Sequence, residues 1–169
     1  MRLASLMMML ALSVAPVVNA ADSSKTDENE LCKSRYTDPV DGKSGTYAGE
    51  CKSGKPNGTG TVTFSDGDVL EGHFVNGSLT GSGTLYAANG NTYRGSFQDG
   101  KRHGLGKFTW GTGSSYEGEW IDDMRHGQGT FTWANGNRFE GEFRENKYYN
   151  GKYFTSSGRI SQCRYGQCR

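Results

Sequence analysis

Aliphatic side chains are scarce in this chain. Beyond the first 20 residues, Leu, Ile, Val and Phe number 19 in 149, and hydrophobic residues of all kinds make up 41, or 28%. That is too little apolar material for an ordinary globular core. Net charge is missing as well: the same 149 residues carry 18 Lys plus Arg and 18 Asp plus Glu. A general nucleic-acid binder, which needs a basic surface to displace counterions from phosphates, is therefore excluded. There is no Cys-x-x-Cys pair, which removes the usual zinc and thiol-redox spacing. There is no Gly-x-Ser-x-Gly elbow, and Gly-x-Gly never opens a helix, so nucleophile-elbow and dinucleotide-binding readings fail. The apolar stretch from Leu3 to Val14 is too short to span a bilayer.

That stretch follows Arg2 and precedes small residues at Val18 and Ala20, the order of a secretory signal. Residues 1–20 are expected to be a signal peptide cut between Ala20 and Ala21. Export, to a periplasm or outside the cell, makes paired cysteines the expectation for Cys32, Cys51, Cys163 and Cys168. Three pairings exist. Cys32 with Cys51 and Cys163 with Cys168 is preferred, because each pair lies at one end of the chain and closes a short loop. A four-cysteine zinc site is the alternative.

What the chain has in quantity is glycine, 26 residues, and aromatics, 12%, and both recur with a period of 23. Copies begin at Tyr47, Leu70, Tyr93, Tyr116 and Phe139, spanning 47–69, 70–92, 93–115, 116–138 and a degenerate 139–161. The third residue of every copy is glycine, and the twelfth and fourteenth are glycine in all but the fifth, which has Asn150 and Lys152. A fixed period of this length marks a stacked array. Alternation with period two, as in Tyr116, Gly118, Trp120 against Glu117, Glu119, predicts two antiparallel strands per copy, ten in all. Parity predicts a loop over Asp123–His126, with Tyr116 opposite Trp133, Gly118 opposite Phe131 and Trp120 opposite Gly129, so that large residues face glycines. Between copies, Ala134-Asn135-Gly136 suits a type I turn closed by a left-handed glycine, with Phe131 opposite Phe139 and Gly129 opposite Gly141.

The unit Tyr116-Glu-Gly-Glu-Trp120, followed by Asp123-Met-Arg-His-Gly-Gln-Gly129, resembles the MORN repeat. The resemblance is strong over residues 47 to about 143 and weaker to about 161. It implies an all-β, elongated, single-layer antiparallel meander of hairpins, acting as a scaffold, a dimerisation module or a membrane-associated module. Residues 21–46 read as a flexible acidic leader and 162–169 as a disulfide-closed basic tail.

A single layer cannot bury a core as a sandwich does, so its aromatic side is both the nearest thing to a core and the candidate binding surface. It gathers Tyr93, Phe97, Phe108, Trp110, Tyr116, Trp120, Phe131, Trp133, Phe139 and Phe143. The binding candidates are Trp110, Tyr116, Trp120, Phe131 and Trp133, with Tyr149 and Tyr153 near an expected edge strand in the fifth copy. The expected partner is a protein or a second copy of the chain. The alternative is an envelope lipid or polysaccharide meeting the rings and the basic residues Lys147, Lys152, Arg159, Arg164 and Arg169. A weaker rival is a hydrolase using Glu117 and Glu119, about 7 Å apart along a strand. His103 and His126, at equivalent positions about 10 Å apart, read as loop residues and not as metal ligands. No catalytic group, metal or cofactor is expected.

Overall fold

The computed structural model describes residues 30–169; the expected signal peptide and cleavage point lie outside them. Thirteen strands form a single antiparallel sheet in strict sequence order. They are β1 Glu30–Thr37, β2 Ser44–Lys52, β3 Lys55–Phe64, β4 Val69–Val75, β5 Ser78–Tyr86, β6 Thr92–Gln98, β7 Lys101–Thr109, β8 Ser115–Ile121, β9 Met124–Thr132, β10 Arg138–Arg144, β11 Lys147–Phe154, β12 Ile160–Arg164 and β13 Gln167–Cys168. The expected meander is present, but it is longer than ten strands at both ends. The expected leader is not a loose cover over residues 30–46: β1 pairs with β2 from Glu30↔Cys51 to Thr37↔Ser44. The fifth copy is not an edge, because β12 and β13 continue the sheet beyond it.

The register between copies follows the expected parity, with Phe131↔Phe139 and Gly129↔Gly141. The connection is the expected three-residue one: the Gly136 amide donates to the Trp133 carbonyl, the Trp133 amide donates to the Asn137 carbonyl, and Gly136 has φ 83°. Within a copy the expected register is wrong. Tyr116 faces Phe131, not Trp133, and Gly118 faces Gly129, not Phe131. The reason is a combination that a straight-ladder count cannot see. A two-residue turn, Asp122-Asp123, with both residues at positive φ, joins the strands, and the ladder then skips from Glu119↔His126 to Gly118↔Gly129. Gly127 and Gln128 are extra residues in a bulge, and Gly127 supplies the left-handed backbone it needs at φ 55°. His126 thus lies in β9, and His103 in β7, not in loops. Where the fifth copy has Asn150, the bulge shrinks to one extra residue, Tyr149.

This register places glycine opposite glycine across the whole array. The third and fourteenth positions, with the thirteenth in the fifth copy where the bulge is one residue shorter, form one row, Gly49↔Gly60↔Gly72↔Gly83↔Gly95↔Gly106↔Gly118↔Gly129↔Gly141↔Gly151, the last on β11. Cys32 faces Gly49 at one end of the row and Cys163 faces Gly151 at the other. Three tyrosines lie over the row. A Cβ at Gly129 would meet the Tyr116 hydroxyl oxygen at 2.5 Å and its ring at 2.6 Å. Each ring reaches past the glycines to donate to a backbone carbonyl: Tyr47 to Glu50 at 2.7 Å, Tyr93 to Ser96 at 2.9 Å and Tyr116 to Glu119 at 2.9 Å.

The core is the line of rings and aliphatics on this side, from Tyr36 and Tyr47 through Phe74, Tyr93, Tyr116 and Trp120 to Phe139 and Phe143. Edge-to-face contacts link copies, Tyr93 to Trp120 at 5.4 Å and Tyr116 to Phe143 at 4.8 Å. Such pairs add about 0.5–1.5 kcal/mol each beyond area burial. Both preferred disulfides are present, Cys32–Cys51 and Cys163–Cys168. Cys51 and Cys163 are buried against the two ends of the core.

Two outcomes test this account. Gly118→Val places branched carbon against Gly129 Cα and the Tyr116 hydroxyl, where an added Cβ would stand at 2.5 and 2.7 Å. It is expected to cost about 1–3 kcal/mol in urea unfolding, whereas Thr130→Val stays within about 0.5 kcal/mol. Reducing both disulfides is expected to lower stability by about 2 kcal/mol or more, and peptide mapping of the oxidised protein is expected to recover both pairs and no bridge between the ends.

Candidate functional site

The aromatic side is covered unevenly. Over the N-terminal half, Tyr36 of β1 packs edge-on against Phe64 and Phe74 at 6.0 and 6.1 Å. The loop between β1 and β2 reaches the β6–β7 turn, where a Cβ on Gly100 would lie 3.0 Å from Val40. That loop is pinned by Lys43, which bridges Asp66 and Asp68 at 2.6 and 2.7 Å. Over the C-terminal half there is no such cover among the described residues. A second row, Phe108, Trp110, Phe131, Trp133 and Tyr153, packs against the core but remains partly exposed. Its members touch in sequence, Phe108 to Trp110 at 4.5 Å, Trp110 to Phe131 at 5.2 Å, Phe131 to Trp133 at 4.6 Å and Trp133 to Tyr153 at 5.4 Å.

The candidates therefore divide. Tyr116 and Trp120 are core residues, 0% and 2% exposed, and no partner can reach them. Trp120 is further held by its indole N–H donating to the Gly106 carbonyl at 3.2 Å. Trp110, Phe131, Trp133 and Tyr153 form the half-covered row, with the Tyr153 hydroxyl accepting from Asn137 at 2.7 Å. Tyr149 stands apart at the C-terminal end, against Tyr165 at 5.1 Å and under the Arg144 guanidinium at 3.8 Å. The basic residues Lys147, Lys152, Arg159, Arg164 and Arg169 are exposed but scattered over turns and strands.

Two residues missed by sequence reasoning lie among these rings. Arg102 and Arg125 occupy the tenth position of the third and fourth copies, where the second copy has Leu79. The Arg102 guanidinium stands 4.5 Å from the Trp120 ring and 5.3 Å from Phe108. Arg125 stands 5.3 Å from Phe131, 5.7 Å from Tyr116 and 5.8 Å from Trp110 and Phe143. Burial, and then the nearby Arg102 charge, lower the Arg125 pKa from its ordinary value. The signal for both was present at the eighth position, a left-handed turn residue that is Gly54, Gly77 and Gly100 in three copies but Asp123 and Asn146 in the next two. A non-glycine there is strained, and its side chain holds the arginine of the preceding copy. Asp123 Oδ1 accepts from Arg102 Nε at 2.8 Å, whereas Asn146 Oδ1 accepts from the Arg125 backbone amide and the Asn146 carbonyl accepts from the guanidinium at 2.6 Å.

A model of the MORN repeat matches residues 47–69, 71–92, 93–115 and 116–138. The chain belongs to the MORN repeat family. No curated protein matches it. The degenerate copy and the flanking strands lie outside the matched residues, yet they continue the hairpin geometry of the MORN units without a break.

On the opposite side of the MORN sheet Glu50, Glu117, Glu119, Glu140 and Glu142 are engaged. Glu119, one half of the hydrolase reading, folds over the bulge and accepts from the Gln128 amide at 2.7 Å, as Glu50 does from Thr59 at 2.7 Å. Glu117 pairs with Lys107 at 3.3 Å, Glu140 with Arg138 at 2.5 Å and Glu142 with Arg144 at 2.7 Å. The separation of Glu117 and Glu119 therefore reflects strand pitch and bulge clamping. His103 Nδ1 lies 3.7 Å from Asp122, and the His126 carbonyl accepts from Tyr116 at 3.2 Å. Among the described residues, no three His, Cys, Asp or Glu side chains are grouped to hold a metal ion.

Burial raises the Tyr93 and Tyr116 hydroxyl pKa values from 10.0 to about 12. Their folded-state pKa exceeds the unfolded one, so the unfolded chain loses these protons first. Stability is accordingly retained below pH 10 and falls as pH rises from 10 towards 12. Chemical denaturation at stepped pH is expected to show that fall, and Tyr93→Phe with Tyr116→Phe is expected to flatten it.

Proposed function

We propose that this chain is a non-catalytic, exported binding or scaffold protein of the cell envelope, engaging a protein partner or a second copy of itself through its MORN repeats. The observation that carries the proposal is the half-covered row Phe108, Trp110, Phe131, Trp133 and Tyr153, which continues the core but lacks the cover that β1 and its loop lay over the other half. Aromatic residues gathered in one partly exposed patch, with the guanidinium groups of Arg102 and Arg125 set among them, match the composition of interface centres, where aromatics and arginine are enriched. Export is supported by the order of residues 1–20 and by two disulfides, which persist in oxidising compartments. A second reading, an anionic lipid or polysaccharide ligand, is favoured by the exposed cations Lys147, Lys152, Arg159, Arg164 and Arg169.

Affinity capture from an envelope extract, with protein, glycan and lipid readouts, tests the proposal. A protein partner or self-association is expected, weakened roughly tenfold by Trp133→Ser with Tyr153→Ala and unchanged by Glu117→Gln at equal thermal stability. Loss of capture on Glu117→Gln with full binding by the aromatic double variant would move the function to the opposite side. Recovery of glycan or lipid alone would replace the protein partner.

A further inference from the structure

At the C-terminal end of the aromatic side, a cleft of about 670 Å³ runs from β9 to the β12–β13 turn. Arg125, Phe131 and Trp133 form one end, Lys147 and Tyr148 the middle, and Tyr149 with Tyr165 the other. No lining residue is acidic. Arg125 and Lys147 make no ion pair among the described residues. Arg125 satisfies one guanidinium nitrogen on the Asn146 carbonyl and leaves donor positions that suit a carboxylate.

The chain contains its own comparison one repeat earlier. Arg102 holds the equivalent position and has a carboxylate, Asp123, where Arg125 has Asn146. The cleft beside Arg102 is also lined by the β1–β2 loop through Asp38, Val40 and Asp41. An acidic and apolar segment of this polypeptide thus lines the cleft of the third-copy arginine, whereas no acidic residue lines the cleft of the fourth among the described residues. The Arg125 cleft crosses about three to four strand spacings, or roughly 17 Å, the length of about five extended residues.

Resting on the protein-partner reading above, we propose that this cleft binds a polypeptide segment of the partner in which an acidic side chain neighbours an aromatic or branched apolar one. The acid pairs with Arg125 and is supported by Lys147, and the apolar neighbour lies against Phe131, Trp133 and Tyr148. Asn146 makes the site available by leaving the arginine without an internal carboxylate.

Asn146→Asp is the discriminating variant. Asp123 occupies the same position one repeat earlier with φ 68°, against 69° for Asn146, so the substitution suits the backbone and supplies the missing partner. A displayed random heptapeptide library is selected on the full oxidised protein, and the recovered peptides are titrated against the wild type, Asn146→Asp, Arg125→Gln and Glu117→Gln. Vesicles of phosphatidylglycerol are titrated in parallel. Enrichment of Asp or Glu beside Phe, Trp, Leu, Ile or Val is expected, with affinity lowered roughly tenfold or more in Asn146→Asp and Arg125→Gln and unchanged in Glu117→Gln. Asn146→Asp is expected to melt at the wild-type temperature. No enrichment, enriched peptides without an acid, or equal affinity for Asn146→Asp would overturn the proposal, as would Arg125-dependent vesicle binding without peptide binding. Should envelope capture proceed undiminished in Asn146→Asp, the scaffold reading stands and this site falls.

Discussion

Close approach of a tyrosine ring to a row of glycines is the contact on which the rest of this sheet depends. A one-layer meander has no second layer to shield its backbone, and its scarce aliphatic residues cannot build one. Removing every Cβ from one row lets the rings of Tyr47, Tyr93 and Tyr116 lie flat along the sheet and contact it directly. Their hydroxyls reach carbonyls beyond the row, so the polar end of each ring is satisfied where its apolar body is buried. The edge-to-face contacts between copies exist because these rings recline. A ring standing upright on a side chain in that row would not meet the ring of the next hairpin.

Constraint at the ends follows from the same arrangement. Each repeat covers its neighbour, so the terminal hairpins expose one side. The chain closes the glycine row at β1 with Cys32 and at β12 with Cys163, the residues that face its first and last glycines. Each disulfide then joins a row cysteine to a neighbouring strand, Cys32 to Cys51 on β2 and Cys163 to Cys168 on β13. The bridges thus stand where covering residues from a further repeat would otherwise be required.

Much of this was legible in the sequence because period 23 and period two are both written in residue identity. The meander, the side on which the rings lie, the register between Phe131 and Phe139 and both cysteine pairings could be read from spacing and position. The register within a copy could not, because Gly127 reads equally as one more small residue and as the left-handed residue of a bulge. Strand β1 was hidden for a different reason. Its hydrophobic signal is weak, and Leu31, 79% exposed, lies on its solvent side while Tyr36 alone enters the core as a large apolar residue. Trp120 and Trp133 carry the same interface chemistry on paper. Only their register separates them, since Trp120 falls on a strand under the neighbouring hairpin and Trp133 on the connection to the next copy.

The exchange at the eighth and tenth positions shows how a repeat can be specialised without altering its frame. Where the tenth residue is Pro56 or Leu79, the facing turn residue of the next copy is Gly77 or Gly100, whose amide bonds to that residue's carbonyl at 2.9 Å in both cases. When the tenth residue becomes arginine, the turn residue becomes Asp123 or Asn146, and the same turn geometry is kept at the cost of a left-handed side chain. A glycine in those turns would serve the backbone equally well; it would cost the Arg102 guanidinium its carboxylate, but it would cost Arg125 only the side-chain acceptor of its backbone amide. At Asp123 the left-handed side chain serves the charge of Arg102 and at Asn146 it serves the Arg125 backbone amide, so the two turns, a carboxylate against an amide, differ in how much positive charge each arginine still offers. Asp123 neutralises one within the fold. Asn146 orients the other and leaves its charge to be met from outside.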